Sequence, residues 1–285
     1  ATACRYTAGI SPEMIGAVAE ELGIDPWVCM PHRATDDYVK AFLTRLKAAM
    51  PTRSLYCEYS NESWLSAFPG HTWVKARGME LKLAATEYDA GMLYHAKRSS
   101  EVGVIAKSIF GAKVTTIMGV QASVSWWANE MLKANKAVGI DAICGAPYIG
   151  DELGQGTTGT AVANETLDQL FARITTSSLP LSMKWVTDQV TVAKAHKVRF
   201  IAYEGGQHLV GVGTLRDDAK LNALFDAAQN DSRMGTVYTT FLNHWKTTAN
   251  DLFCHFNMCS SWTKYGRWGS TRWHGDSTVK SQALK

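Results

Sequence analysis

Apolar positions fall into two alternating patterns along the chain. After Ser11-Pro12-Glu13, Met14, Ala17, Val18 and Leu22 recur at helical spacing. Ser as N-cap and Pro in the first turn open this helix, and Gly23 stops it. Asp25–Met30 then reads as a strand that Pro31-His32 ends. A helix capped at Thr35 or Asp36 buries Val39, Phe42, Leu43, Leu46 and Met50, and the strand Leu55–Tyr59 follows Pro51. Residues 65–100 hold a loop and one or two helices, and 101–110 is helical to Gly111. Further strands are expected at 114–120, 140–146, 198–203 and 252–258, with helices around 126–132, 164–174, 185–195, 218–228 and 234–248. The Gly- and Thr-rich stretch 151–160 reads as a loop.

Strands alternating with helices predict a parallel sheet with helical crossovers. The pattern has no composition break, so 1–285 reads as a single domain. Six strands emerge where a closed (β/α)8 TIM barrel needs eight. The first one or two β/α units are therefore short or missing in this chain, unless residues 1–10 supply a strand. No G-x-G-x-x-G follows a strand, and Gly150–Gly159 lacks the P-loop lysine.

Composition narrows the function. A 46% hydrophobic and 19% charged chain of 285 residues has a large core, and its net charge of +3 is well mixed. No basic run points to nucleic acid, and no apolar stretch is long enough to span a membrane. Ten tryptophans fit a sugar-stacking groove as well as a large core. The six cysteines contain no C-x-x-C. Cys254 and Cys259, if extended, lie about 16 Å apart, too far for a disulfide without a sharp bend. No metal-ligand spacing and no cofactor motif appears. The oligomeric state is left open.

Two strands deliver a carboxylate to their C-terminal ends: LYCEYSNE ends at Glu62, and VRFIAYE ends at Glu204 before Gly205-Gly206. Such strand ends face the mouth of a parallel barrel, where two carboxyl groups could flank a glycosidic bond. Counting back in twos from Glu204 gives Ala202, Phe200 and Val198, an apolar set able to fill a barrel interior. On the other strand Glu58 shares the parity of Glu62 and is a rival carboxylate, read as a buried paired group or as an outward one after a local bulge.

Tyr59-Ser60-Asn61-Glu62 with Trp64, and Tyr203-Glu204-Gly205-Gly206, resemble the motifs of clan A glycoside hydrolases. DPWVCMPH (25–32), EYSNESW and YEGGQH also resemble poorly characterised bacterial proteins of this type, over roughly residues 10–270. The resemblance implies a retaining two-glutamate hydrolase of β-linked polysaccharides or oligosaccharides. Glu62 would be the acid/base, Glu204 the nucleophile, and Asn61 the partner of the sugar 2-hydroxyl. Tyr148 would orient Glu204, Trp262 would floor a sugar subsite, and Trp64, His32 and Gln121 would line the mouth. Such an enzyme is expected to be secreted or periplasmic. The alternative is a non-catalytic carbohydrate-binding protein on a degenerate barrel, with a barrel lyase or isomerase as a weaker third reading.

Overall fold

A computed structural model of the chain describes residues 9–285. Residues 1–8, including Cys4 and most of the stretch considered for an additional strand, lie outside the described residues. The fold is mixed α/β with a five-stranded sheet ordered β1-β2-β3-β4-β5. The strands are β1 (Trp27–Met30), β2 (Leu55–Tyr59), β3 (Val114–Gly119), β4 (Ala142–Gly145) and β5 (Arg199–Ala202). The pairings of β1 with β2, β2 with β3 and β3 with β4 are parallel. The chain divides into two compact units. One holds the chain to Cys144 together with Val192–Arg199, and the other holds Gly145–Thr191 and Phe200–Lys285.

In the first unit the capping signals act as the sequence predicts, but the first helix buries Gly16 and Ala19 and leaves Val18 and Leu22 of the expected apolar stripe exposed. Ser11 Oγ accepts from the Met14 N–H at 3.3 Å and starts α1 (Pro12–Leu22), which Gly23 closes at φ 67°. Thr35 caps α2 (Asp36–Ala49), whose Val39, Leu43 and Leu46 are buried. Register puts Val28, Cys57 and Thr116 on one face of the sheet, and Cys29, Glu58 and Ile117 on the other. The first face meets helices: the ring of Tyr59 lies 5.6 Å from that of His95, on α4 (Glu87–Phe110). The second face is buried at Ile117, Ala142 and Cys144 and opens at β1, where Cys29 is exposed.

Helix α3 (Pro69–Glu80) packs unusually close to α4. A Cβ on Gly78 would lie 2.1 Å from the Ala90 carbonyl oxygen, so only glycine permits this approach. Gly103 of α4 makes a similar approach to the Gly139 carbonyl, between α5 (Ser125–Asn135) and β4.

The second unit departs from the sequence pattern in three places. The stretch 151–160 is not a loop: a 3-10 turn spans Asp151–Gly154 and α6 spans Gly156–Val162. Its glycines serve close packing, since a Cβ on Gly154 would lie 1.8 Å from the Val210 carbonyl oxygen. Second, the helical run after α7 (Leu167–Arg173) is not interrupted but passes through a π turn at Ile174–Ser178 into α8 (Leu179–Ala195). Pro180 explains the widened turn, because its ring cannot fit against the carbonyl four residues earlier. Third, the strand expected at 252–258 reduces to one parallel bridge between Ala202 and Phe253. Beyond it the Phe256 N–H turns to the Gly205 carbonyl, 3.0 Å away.

The parity carried back from Glu204 also changes meaning. The Phe200 ring lies 5.5 Å from that of Trp245 of α10 (Ser232–Thr248) in a tilted contact, so it faces a helix rather than a barrel interior. Trp245 and Phe241 of α10 both meet Phe253, which closes this cluster. Helix α9 (Ala219–Asn230) and the short α11 (Val279–Ala283) complete the unit.

Gly78→Ala should destabilise the protein by about 1–3 kcal/mol, despite the better helix propensity of alanine. Urea unfolding measures this directly. An unchanged midpoint would show that α3 can move off α4 freely.

Candidate active site

The structure describes Glu62 and Glu204 in different units, and each is built from its own surroundings. In the first unit β2 stops at Tyr59, and the chain turns sharply. Ser60 and Glu62 both hold left-handed backbone conformations, at φ 52° and 45°. Such conformations are costly for residues with a Cβ and persist only where neighbours enforce them. The neighbours are visible. Ser60 N–H donates to the Met30 carbonyl at 2.9 Å, and Leu65 N–H donates to the Glu62 carbonyl at 3.0 Å. Ser63 Oγ shares a 2.8 Å hydrogen bond with His95 Nδ1, and His71 Nδ1 donates to the Ser63 carbonyl at 3.1 Å. Trp64 is buried, edge-on to His95 at 6.2 Å. Glu62 is thus half-buried on a fixed turn, with Asn61 exposed beside it.

Glu58 has a different environment. It is 1% exposed, and its Oε2 accepts from Trp27 Nε1–H at 2.9 Å and from Cys29 Sγ at 3.5 Å. Gly119 lies against its other oxygen, where a Cβ would come within 2.8 Å. This is the buried, paired carboxylate that its position inside β2 suggests.

His32 stands two residues past β1, and its carbonyl accepts from Tyr59 Oη at 2.8 Å. Burial and the neighbouring Arg33 lower its pKa. Its ring is edge-on to Trp73 at 6.3 Å. Gln121 is half-buried, two residues past β3.

In the second unit β5 ends at Ala202, and the half-buried Tyr203 and Glu204 follow. The two glycines after Glu204 have a steric cause. A Cβ on Gly205 would strike the Phe253 ring at 2.8 Å. Gly206 sits at φ 136°, and a Cβ there would lie 2.9 Å from Tyr238 Oη and 3.0 Å from His255 Nε2. Gln207 is buried and uses both ends of its amide. Its Nε2 donates to the Arg267 carbonyl at 2.8 Å, and its Oε1 accepts from Leu209 N–H at 2.8 Å. Its backbone N–H donates to Tyr238 Oη at 3.1 Å.

These bonds determine the proton positions around Tyr238. His255 Nδ1 lies 3.1 Å from the Asn257 carbonyl and must donate to it. Burial, then the nearby Lys280, push His255 down to a pKa of about 4, so the ring is neutral and its Nε2 accepts. Tyr238 O–H therefore donates to His255 Nε2 across 3.1 Å. Parallel bonds from Ile149 N–H to the Gly206 carbonyl, 2.9 Å, and from His208 N–H to the Ile149 carbonyl, 2.8 Å, join the Tyr148 segment to the loop after Glu204.

An aromatic cluster stands on this frame. His208 lies 5.2 Å from Tyr148 and 4.9 Å from Trp268, and Tyr148 lies 5.8 Å from Trp268. Trp262 belongs elsewhere. Its Nε1 donates to the Gly269 carbonyl at 2.9 Å, and Lys280 and Arg272 lie 4.5 and 5.1 Å from its ring. Trp268 and His208, which the sequence pattern did not single out, are the neighbours of Tyr148. Trp268 lies in the aromatic-rich loop after the last apolar run, and His208 closes the YEGGQH phrase that follows β5. No cluster of three metal-ligating side chains occurs among the described residues.

No protein-family model and no curated protein matches the sequence. Among solved structures, the fold is similar to the GH51 arabinofuranosidase from Xanthomonas axonopodis pv. citri, with a TM-score of 0.56 and 13% sequence identity. The match covers 86% of this chain and 48% of that one, so the chain spans about half the length of the structure it resembles. At that identity the likeness concerns the fold alone.

Two measurements test the frame. Tyr238→Phe leaves the Gln207 N–H and His255 Nε2 buried without their shared partner, and should cost about 2 kcal/mol in urea unfolding. A neutral effect would mean that water replaces the hydroxyl. His95 is 0% exposed, and burial lowers its pKa to about 4. The unfolded chain, with an ordinary histidine pKa of about 6.5, binds the additional proton first. The contribution of neutral His95 is therefore complete above about pH 6.5 and falls as the pH drops towards 4, by about 1.4 kcal/mol per unit. Urea midpoints at several pH values should show this slope, and His95→Gln should flatten it.

Proposed function

We propose that this chain is a retaining glycoside hydrolase acting on a β-linked polysaccharide or oligosaccharide, built on a (β/α)8 barrel of which the described strands form part. One observation carries the reading. In a fold similar to that of a glycoside hydrolase, Glu62 and Glu204 each stand just past the C-terminal end of a sheet strand. Catalytic groups of parallel barrels occupy such ends.

In this reading the Glu204 carboxylate attacks the anomeric carbon while Glu62 protonates the departing glycosidic oxygen. A covalent glycosyl ester forms on Glu204. Glu62, now ionised, takes a proton from water, whose oxygen attacks the same carbon and releases Glu204. The net configuration is retained after two inversions. The fixed turn at Ser60–Leu65 supports this role, because an acid/base must hold one position through both steps. The bonded loop after Glu204 supports the nucleophile in the same way. Asn61 is assigned to the sugar 2-hydroxyl, Tyr148 to orienting Glu204, and His32, Trp64 and Gln121 to lining the mouth. Trp262 is assigned to flooring a sugar subsite, and Trp268, beside Tyr148, offers a second aromatic face. Export from the cytoplasm follows from a polymeric substrate and is tested by fractionating the producing cells.

Glu204→Gln should lower kcat/KM at least ~10³-fold on any β-linked substrate that the wild type cleaves. Glu62→Gln should do the same on natural glycosides. With a dinitrophenyl glycoside, whose leaving group needs no proton, it should instead give a burst of one equivalent and a slow second step. Proton NMR of the first product should show the retained anomer. Full activity in either variant would sink the assignment. Glycan binding without turnover by the wild type would favour the non-catalytic reading.

A further inference from the structure

A cleft of about 430 Å³ opens in the first unit where β1 ends, between His32–Asp36 and the facing sides of α3 and α4. Its volume suits one or two sugar rings. The close approach of Gly78 to Ala90 brings Trp73 and Arg77, one helical turn apart on α3, against α4. Trp73 carries two guanidinium groups: Arg33 Cζ lies 5.1 Å and Arg77 Cζ 5.8 Å from its ring centre.

The charges in the cleft do not cancel. Arg98 donates to Asp36 at 2.6 Å, to Glu101 at 2.9 Å and to the Ala34 carbonyl at 2.9 Å. Lys97 also pairs with Glu101. These four side chains form a closed network with both acids engaged. Arg33 is exposed and forms no ion pair among the described residues. Arg77 pairs with Glu80 of its own helix, where both partners are partly exposed, and hydrogen-bonds Tyr94 on the cleft wall. A surface pair of this kind exchanges readily with a ligand. Arg33 also contributes to the lowered pKa of His32, as a local positive field requires.

A planar guanidinium held against an indole keeps its N–H edge free to bind a carboxylate through two parallel donors, while the ring holds it in place. We propose that this cleft is a subsite for an acidic sugar, a pyranose bearing a carboxylate such as a uronic acid, recognised by Arg33 and Arg77 over Trp73. The proposal takes its sugar chain from the glycosidase reading and adds that the substrate is an acidic glycan.

The test uses the full chain carrying Glu204→Gln, so that no probe is consumed. Isothermal titration compares a xylo-oligosaccharide bearing one glucuronic acid with the same oligosaccharide lacking it. The acidic probe should bind roughly tenfold more tightly. That preference should collapse towards unity in Arg33→Gln and in Arg77→Gln, and Arg33→Lys should keep part of it. It should weaken between about 20 mM and about 300 mM salt, because the pairing is exposed. Free glucuronate should compete better than inorganic sulfate at equal concentration. Equal affinity for the two probes, a preference that survives Arg33→Gln, binding of neither probe, or equal competition by sulfate would each overturn the proposal. Hydrolysis is scored separately with the wild type. Acidic preference without any turnover would remove the glycosidase reading and leave the cleft standing.

Discussion

The first unit depends on how closely α4 can lie to its neighbours. Two contacts of this 24-residue helix involve backbone rather than side chains: Ala90 against Gly78 of α3, and Gly103 against the Gly139 carbonyl. Neither would tolerate a methyl group. Interiors are close-packed, so such contacts fix a distance that larger side chains would leave adjustable. With that distance set, His95 meets Ser63 and Trp64, and Arg98 meets Asp36 and the Ala34 carbonyl. The turn carrying Glu62 and the basic cleft at the end of β1 both inherit their geometry from one helix.

The second unit solves the equivalent problem with polar groups. The segment after Glu204 has little room for side chains, and two glycines let it pass between Phe253, Tyr238 and His255. Its buried backbone groups are then satisfied internally, through Tyr238, Ile149 and the Gln207 amide. A buried polar network is stabilising only when its members are paired, since each orphaned group costs about 1–3 kcal/mol. The neutral state of His255 belongs to the same logic: a charged ring could not accept from Tyr238.

Three carboxylates near strand ends show how environment separates roles. Glu58 lies within β2, buried under an indole N–H and a thiol. Glu62 and Glu204 lie beyond their strands and are half-buried. Position relative to the last paired residue, rather than sequence parity, separates the structural acid from the two candidates for chemistry. The charged side chains sort similarly. Arg267 is 1% exposed and spends its donors on Asp226, Asn222 and the Leu209 carbonyl, whereas Arg33 keeps its donors in solvent.

Local chemistry was legible in the chain itself. Ser11-Pro12 and Gly23 bound α1, Thr35 caps α2, and short apolar runs mark the five strands because a buried parallel strand has few alternatives in composition. The mixed α/β class, and the placement of Glu62 and Glu204 after strands, follow from that alone. Tertiary structure decided what depends on partners distant in sequence. Glycines at 154 and 159 read as loop formers but serve close packing, and the run at 252–258 keeps one bridge, Ala202 to Phe253, before the Phe256 N–H bonds the Gly205 carbonyl. Phe200 turned to Trp245, Trp268 came to Tyr148, and Arg33 and Arg77 met over Trp73. A sequence records which residues favour a turn, a cap or a strand, because those preferences act over a few bonds. It does not record which side chains meet across tens or hundreds of residues, because those meetings are set by backbone approach and side-chain volume in the folded chain.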